Sequence, residues 1–322
     1  MKKLSEEMDK RLDMASFVFI KITDSCNKNC SFCYYANNKN PKSMTLETFK
    51  SLVEKVGDER LRKVIFGGEP TTHSDFLKFC EYLFERKEKV YFITNLLCDI
   101  ELLKSLSGLQ VKYDGSLEIL INGHELSGER RQKFKKNLEF LYSLENVTTG
   151  TNIVLNLHEP IEKLKAEIDD VYGLFGEKIN IACVVTKVGN IKYVGVPSLG
   201  KTMLACIKHT QSLFKNSNVR ISHKMFRCNF DDDSEWNEYS SYLAPSVYSL
   251  GYCGTRLLDE TYLASCIYGN PEVQLEHKNY ETIVSMLEDL DRLQKEKIAT
   301  YLPDVCRKCK HECKKIFCSM LT

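Results

Sequence analysis

Short apolar runs alternate with amphipathic stretches along the first two-thirds of the chain, and this alternation narrows the possible folds more than any other feature. Residues 17–23 (Phe-Val-Phe-Ile-Lys-Ile-Thr) are apolar and β-branched enough for a buried strand. From Thr45 onward, Leu46, Phe49, Leu52, Val53 and Val56 recur at helical spacing until Gly57 stops the run. Residues 63–66 make the next strand, and Ser74 caps a helix carrying Phe76, Phe79, Cys80, Leu83 and Phe84. Further strands fall at 90–94, 116–121, 149–157 and 178–185, with helices at 130–143, 160–172 and 201–214. Strands alternating with helices in this way call for a parallel sheet with crossover helices. Six such units fall short of the eight of a closed barrel. The expected fold class is therefore α/β, a partial (β/α)6 TIM-like barrel, followed by a small cysteine-rich C-terminal domain.

The chain has 322 residues, 43% of them hydrophobic, which suits one large domain with a sizeable core and a smaller second one. Past residue 218 the pattern changes. A short strand at 219–226 and an acidic stretch at 231–235 lead to a segment punctuated by Pro and Gly at 245–254, and a helical pattern returns over 280–300. The expected domains are 1–216 and 217–322. Lys and Arg number 45 against 44 Asp and Glu, a net charge of +1. Such a balance offers no electrostatic case for a nucleic-acid partner. The N-terminal residues lack the apolar core of a secretion signal, and no apolar run is long enough to span a membrane. A cytoplasmic location without a membrane partner is expected. The first strand starts near residue 17, so no leader-peptide-binding domain is expected before it.

Fourteen cysteines are many for a reducing compartment, where grouped thiols serve metal or redox chemistry. Cys26, Cys30 and Cys33 form a C-x3-C-x2-C loop directly after the first strand, and seven more lie from Cys228 onward. Cys80, Cys98 and Cys206 read as packing residues, and Cys183, on the sixth strand, as either a core residue or a lumen-facing thiol. An iron–sulfur cubane takes four thiolates, so three from one loop can hold three irons and leave the fourth open. A zinc loop or three unconnected thiols is the alternative. Gly67-Gly68-Glu69-Pro70, Thr94-Asn95, Asn122-Gly123 and Asn156 all fall at the C-terminal ends of predicted strands. That is the face at which barrel enzymes place their chemistry. Asn152 and Asn156 share one face of the fifth strand, either as ligand contacts or as a solvated surface. His124 reads as a substrate acid or base, or as an ordinary loop residue.

The cysteine loop and the Gly67–Pro70 motif together resemble the radical S-adenosylmethionine (radical SAM) superfamily. The resemblance implies that Cys26, Cys30 and Cys33 hold a [4Fe–4S] cluster whose open iron binds SAM, and that Phe32 shields the cluster or packs on the adenine. It also implies that the Gly67 and Gly68 carbonyls and the Glu69 carboxylate receive the SAM ammonium, with Pro70 ending the strand. Thr94-Asn95 and the Asn122-Gly123 turn match strand ends that lie near SAM in the family, with Leu96 where Gly is common and Asn122 where Asp is common, and Asn152 is a further candidate contact from its place on the fifth strand. A reduced cluster there splits SAM to a 5′-deoxyadenosyl radical that removes hydrogen from a substrate, and an electron donor such as flavodoxin or ferredoxin is implied.

Cys253 and Cys266 resemble the opening of a SPASM or twitch auxiliary-cluster domain, although Thr261 replaces its glycine. Cys306, Cys309, Cys313 and Cys318 follow as C-x2-C-x3-C-x4-C. The resemblance implies one or two auxiliary [4Fe–4S] clusters on these cysteines, with Cys228 as a further donor. A zinc site on the last four is the alternative. Relatives with this architecture modify ribosomally made peptides, which makes a peptide or protein the expected substrate. Oxidation of a small molecule such as an aminoglycoside, or a non-catalytic metal-binding role, are the other readings.

Overall fold

The computed structural model describes residues 17–31, 33, 41–57, 61–186, 198–221, 229–242, 255–259, 262–264 and 274–282, with isolated positions between 286 and 296. Strand β1 (Phe17–Thr23) opens the fold and helix α1 (Leu46–Val56) follows it. The pattern then repeats through β2 (Arg62–Gly67), α2 (Phe76–Glu85), β3 (Val90–Thr94), α3 (Ile100–Tyr113), β4 (Leu117–Ile121), α4 (Gly128–Tyr142), β5 (Val147–Leu155), α5 (Ile161–Phe175), β6 (Ile181–Thr186) and α6 (Ser198–Leu213). Six strand–helix units are thus present, as the alternation implies. A seventh strand, β7 (Asn218–Ile221), extends the sheet, and α7 (Asp233–Ser241) comes after it.

Strands β1 to β7 pair in sequence order and all run parallel. Three more strands join on the far side of β1. Strand β8 (Thr255–Leu258) pairs parallel with β1, with Phe17 opposite Thr255, and β9 (Tyr262–Ala264) and β10 (Gln274–Glu276) add as antiparallel neighbours. Among the described residues the ten strands stand in linear order, β10-β9-β8-β1 through β7, an open, partial barrel.

Burial alternates along the strands. Val18, Ile20 and Ile22 on β1, Ile119 and Ile121 on β4, and Ile153 and Leu155 on β5 are sealed at 0% exposure beneath the helices. Their neighbours Phe19, Lys21, Leu120, Asn152 and Val154 are half-buried on the other face. One side of the sheet carries the core and the other lines an accessible interior.

Helix α1 shows how local signals set the boundaries. Thr45 accepts the Thr48 N–H at 3.1 Å, and Gly57 closes the helix in the left-handed region at φ 59°. Other boundaries differ from the expectation. Helix α2 begins after Asp75, not Ser74, because Asp75 donates its N–H to the His73 ring at 3.0 Å and no side chain caps the first turn. Strand β5 stops at Leu155, two residues early, because Asn156 accepts the Glu159 N–H at 2.8 Å and turns the chain. Helix α3 has no counterpart in the sequence reading. Its apolar residues do not form one stripe: Val111 is 78% exposed and Gln110 is buried. Its end signals were nonetheless present, with Asp99 accepting the Glu101 N–H at 3.3 Å and Asp114 in the left-handed region before Gly115.

Cys80, Cys98 and Cys206 are buried packing residues as expected, and burial pushes the Cys98 and Cys206 thiols up to about 12. Cys183 stands in register with Asn152. Met286 and Leu290 are buried in the main core. Phe32, Cys228, Cys253, Cys266, Cys306, Cys309, Cys313 and Cys318 lie outside the described residues.

Two glycines test this packing in opposite directions. A Cβ on Gly67 would collide with the Thr23 carbonyl at φ 153°, so Gly67→Ala should destabilise the fold by about 3 kcal/mol. Gly108 sits exposed inside α3 with nothing within 4 Å of a Cβ, so Gly108→Ala should stabilise by about 0.5–1 kcal/mol. Urea unfolding of both variants would reveal whether these signs hold.

Candidate functional site

The expected site residues meet at the C-terminal ends of β1 to β5. The loop after β1 carries Cys26, Cys30 and Cys33, all free thiols, with Cys26 exposed and the other two half-buried. The Cys33 N–H bonds the Cys30 carbonyl at 3.0 Å. Partial burial pushes the Cys26 and Cys30 thiols up, and the nearby Lys28 opposes this at both. Metal or cluster binding must therefore displace protons from them.

Among the described residues, no three thiols, imidazoles or carboxylates are grouped tightly enough to hold one metal ion. Three thiols on one short loop match the donor chemistry of an iron–sulfur cubane. A single ion draws every ligand to one centre, at about 2.3 Å for zinc and sulfur. In a cubane each thiolate takes a different iron.

The Gly67–Pro70 turn locks onto this loop. Gly68 donates its N–H to the Thr23 carbonyl and Glu69 its N–H to the Ser25 carbonyl, both at 2.8 Å. A Cβ on Gly68 would press into the Ser25 carbonyl and lie 2.6 Å from that of Asp24. The paired glycines therefore admit the backbone leading into Cys26. This contact is visible only in three dimensions; in sequence the motif reads as a ligand cradle or as an ordinary strand-to-helix turn.

Glu69 lies 1% exposed beneath the turn. Its Oε1 accepts the Thr94 hydroxyl at 2.7 Å, the Thr71 hydroxyl at 2.6 Å and the Thr71 N–H at 3.2 Å, and its Oε2 accepts the Asn95 N–H at 2.6 Å. Burial pushes this carboxyl up, while the bonds from Asn95, Thr71 and Thr94 oppose the shift. Four donors match the acceptor capacity of one ionised carboxylate, so the side chain ties β2 to β3.

Asn95 continues the chain of contacts. Its amide reaches Asn27 Oδ1 at 2.7 Å and Cys26 Sγ at 3.9 Å. The next residue, Leu96, is fully buried with φ 58°. Leucine holds the left-handed turn at a cost of about 1–2 kcal/mol. Asn137 of α4 fastens the turn by donating to the Leu96 and Cys98 carbonyls, both at 3.0 Å.

Beyond β4, Asn122 Oδ1 accepts the Asn152 amide at 3.2 Å, which unites two of the expected site residues. Asn156 stands apart, past the end of β5. His124 donates from Nε2 to the Asn152 carbonyl at 2.6 Å, and burial pushes its imidazole down to about 4. It is therefore neutral at pH 7 and held by the strand. Three residues that the sequence reading did not single out, Lys28, Ser31 and Glu125, complete the site. Lys28 donates to the His124 carbonyl, and Ser31 donates its N–H to Glu125 Oε2 at 3.0 Å. Burial would raise the Glu125 carboxyl, but the Ser31 bonds and the Lys28 charge outweigh it and hold it below the usual range.

A family model for the radical SAM superfamily matches residues 20–171, from β1 into α5. The chain carries a radical SAM domain. That superfamily implies SAM and a [4Fe–4S] cluster and supports an enzyme that uses SAM. The fold is similar to that of SAM-bound SuiB from Streptococcus suis, at TM-score 0.66 and 17% identity, over 96% of this chain and 74% of SuiB. It is also similar to SuiB bound to its precursor peptide SuiA, at TM-score 0.57 and 17% identity, over 87% of this chain and 66% of SuiB. In sequence, an uncharacterized protein of Methanocaldococcus jannaschii, MJ0907, is 33% identical over 69 residues. That match spans 21% of this chain and 24% of the relative's length. Among the described residues, no helix is long and apolar enough to cross a membrane.

Two consequences can be measured. Glu69→Gln would turn an amide N–H₂ toward one of the existing donors, so it should destabilise the fold by about 2 kcal/mol in urea unfolding. His124 binds a proton in the unfolded chain below its ordinary 6.5 but in the folded chain only near 4. Its contribution to stability is therefore lost as pH falls from 6.5 to 4. The urea midpoint of His124→Gln, compared at pH 7 and pH 4.5, should fall less on acidification than that of the unaltered chain.

Proposed function

We propose that this chain is a radical SAM enzyme that modifies a peptide substrate. The observation that carries the reading is the hydrogen-bonded continuity between the three-cysteine loop and the Gly67–Pro70 turn, fastened through Glu69 and Asn95. Cys26, Cys30 and Cys33 would hold the cluster. Gly67, Gly68, Glu69, Pro70, Thr94, Asn95, Asn122 and Asn152 would shape the SAM site around it, with Phe32 beside it. When bound, the reduced cluster supplies the electron that splits the SAM sulfonium and releases a 5′-deoxyadenosyl radical for hydrogen abstraction.

The protein's part is to hold and shelter. Glu69 fixes the ends of β2 and β3 at the mouth, and Asn95 keeps the start of the cysteine loop against β3. His124, neutral and tied to β5, neither charges the site at pH 7 nor offers a free base. Lys21, Leu120, Asn152 and Val154 are half-buried on the interior face of the sheet, where a substrate would lie in this reading. The likeness to the peptide-bound SuiB fold supports a peptide in that space.

Residues 1–216 form the barrel domain in this reading, and 217–322 supply Cys253, Cys266, Cys306, Cys309, Cys313 and Cys318 for one or two auxiliary clusters. A flavodoxin or ferredoxin would deliver electrons. A second reading, oxidation of a small molecule, is favoured by a cavity of about 170 Å³ lined by both charged and apolar groups, among them Lys21, Asp24, Lys42, Met44, Asp259 and Tyr262.

Anaerobic incubation of the reconstituted, reduced protein with SAM should produce 5′-deoxyadenosine, and Cys30→Ala should abolish it. No 5′-deoxyadenosine from iron-loaded protein would reject the enzyme reading in favour of a non-catalytic one. With SAM cleavage established, a mass change on a co-expressed candidate peptide would support the peptide substrate. Oxidation of an aminoglycoside-type alcohol instead would support the second reading.

A further inference from the structure

The loop after β4 reaches back to the cysteine loop in a way that the cofactor motifs do not explain. Its backbone turns at Glu125 through the left-handed region, φ 52°, which few residues with a side chain adopt. The turn brings the Glu125 carboxylate to Ser31, whose N–H it accepts at 3.0 Å and 3.3 Å on its two oxygens and whose hydroxyl it also accepts. One residue earlier, the His124 carbonyl takes the Lys28 ammonium, and the His124 ring is anchored on β5. Lys28 and Ser31 bracket Cys30. Asn95 holds the loop near Cys26, from β3. Glu125 and His124 hold its middle from β4, so the loop is gripped at two points.

We propose that Glu125 is a positioning residue: through Ser31 it clamps the central part of the cysteine loop and sets how Cys30 and Cys33 are presented to an iron–sulfur cluster, with its own negative charge beside it. This inference rests on the three-cysteine cluster reading. Partners one step removed from metal ligands commonly govern how firmly the metal is held. A fixed negative charge near a cluster also makes adding an electron harder, because reduction adds charge of the same sign.

The test uses the full chain, reconstituted anaerobically with iron and sulfide. The signal lost in Cys30→Ala defines the N-terminal cluster. Glu125→Ala should lose that cluster to an iron chelator roughly tenfold faster than the unaltered protein and change the EPR spectrum of its reduced form. Glu125→Gln still offers Ser31 an amide oxygen but carries no charge. It should bring the loss rate back to within about twofold of the unaltered protein while shifting the midpoint potential to a more positive value. Glu129→Gln, an exposed acid in the first turn of α4, should match the unaltered protein throughout. The clamp is overturned if Glu125→Ala matches the unaltered protein in both loss rate and spectrum. If Glu125→Ala does not fold, Glu125→Gln decides by its potential, and an unchanged value overturns the proposal. If the unaltered chain binds no more iron than Cys30→Ala, the cluster reading fails and takes the clamp with it; normal loading with a silent Glu125→Ala rejects the clamp alone.

Discussion

A single buried carboxylate holds the working end of this barrel together. Glu69 joins the turn after β2 to the last residues of β3, and its own backbone is bonded to the segment entering the cysteine loop. Sequestering a carboxylate from water is costly unless its lone pairs are taken up. Here four donors take them up, and each belongs to a strand end or turn at the mouth. The energetic demand of one group thereby fixes the relative placement of three segments of backbone. Once they are fixed, Asn95 can reach Asn27 and the Cys26 sulfur, and the C-terminal edges of β1, β2 and β3 become one surface.

The glycines before Glu69 serve the same arrangement. Residues 67 and 68 pass so close to Thr23, Asp24 and Ser25 that neither tolerates a side chain. Close approach of two backbones, rather than flexibility, is what these positions require. Leu96 shows the opposite solution. Where backbone geometry asks for a left-handed residue, the chain uses a buried leucine and offsets its strain by packing and by the two bonds from Asn137.

Much of this was legible in the sequence because the same residues carry both periodicity and chemistry. The core of β1, the Thr45 and Gly57 ends of α1, and the gathering of Gly67–Glu69, Asn95 and Asn122 at one end of the sheet all follow from local pattern. What escaped depended on contacts between distant positions. Helix α3 hid because its exposed Val111 and buried Gln110 blur the apolar stripe, although Asp99 and Asp114 mark its ends. Glu125 and Lys28 carried no signal of their own, since nothing in a linear chain says that residue 125 will fold against residue 31. The role of Glu69 as a tie was equally hidden, because its partners Thr94 and Asn95 are 25 and 26 positions away.

The placement of β8 has a consequence for how the molecule is made. Strand β1, which leads into the cysteine loop, has β2 on one side and β8 on the other, and Phe17 waits for Thr255 to complete that second pairing. During synthesis the loop must emerge long before its strand is flanked on both sides. The order of events on the ribosome therefore separates the appearance of the thiols from the completion of the sheet that carries them.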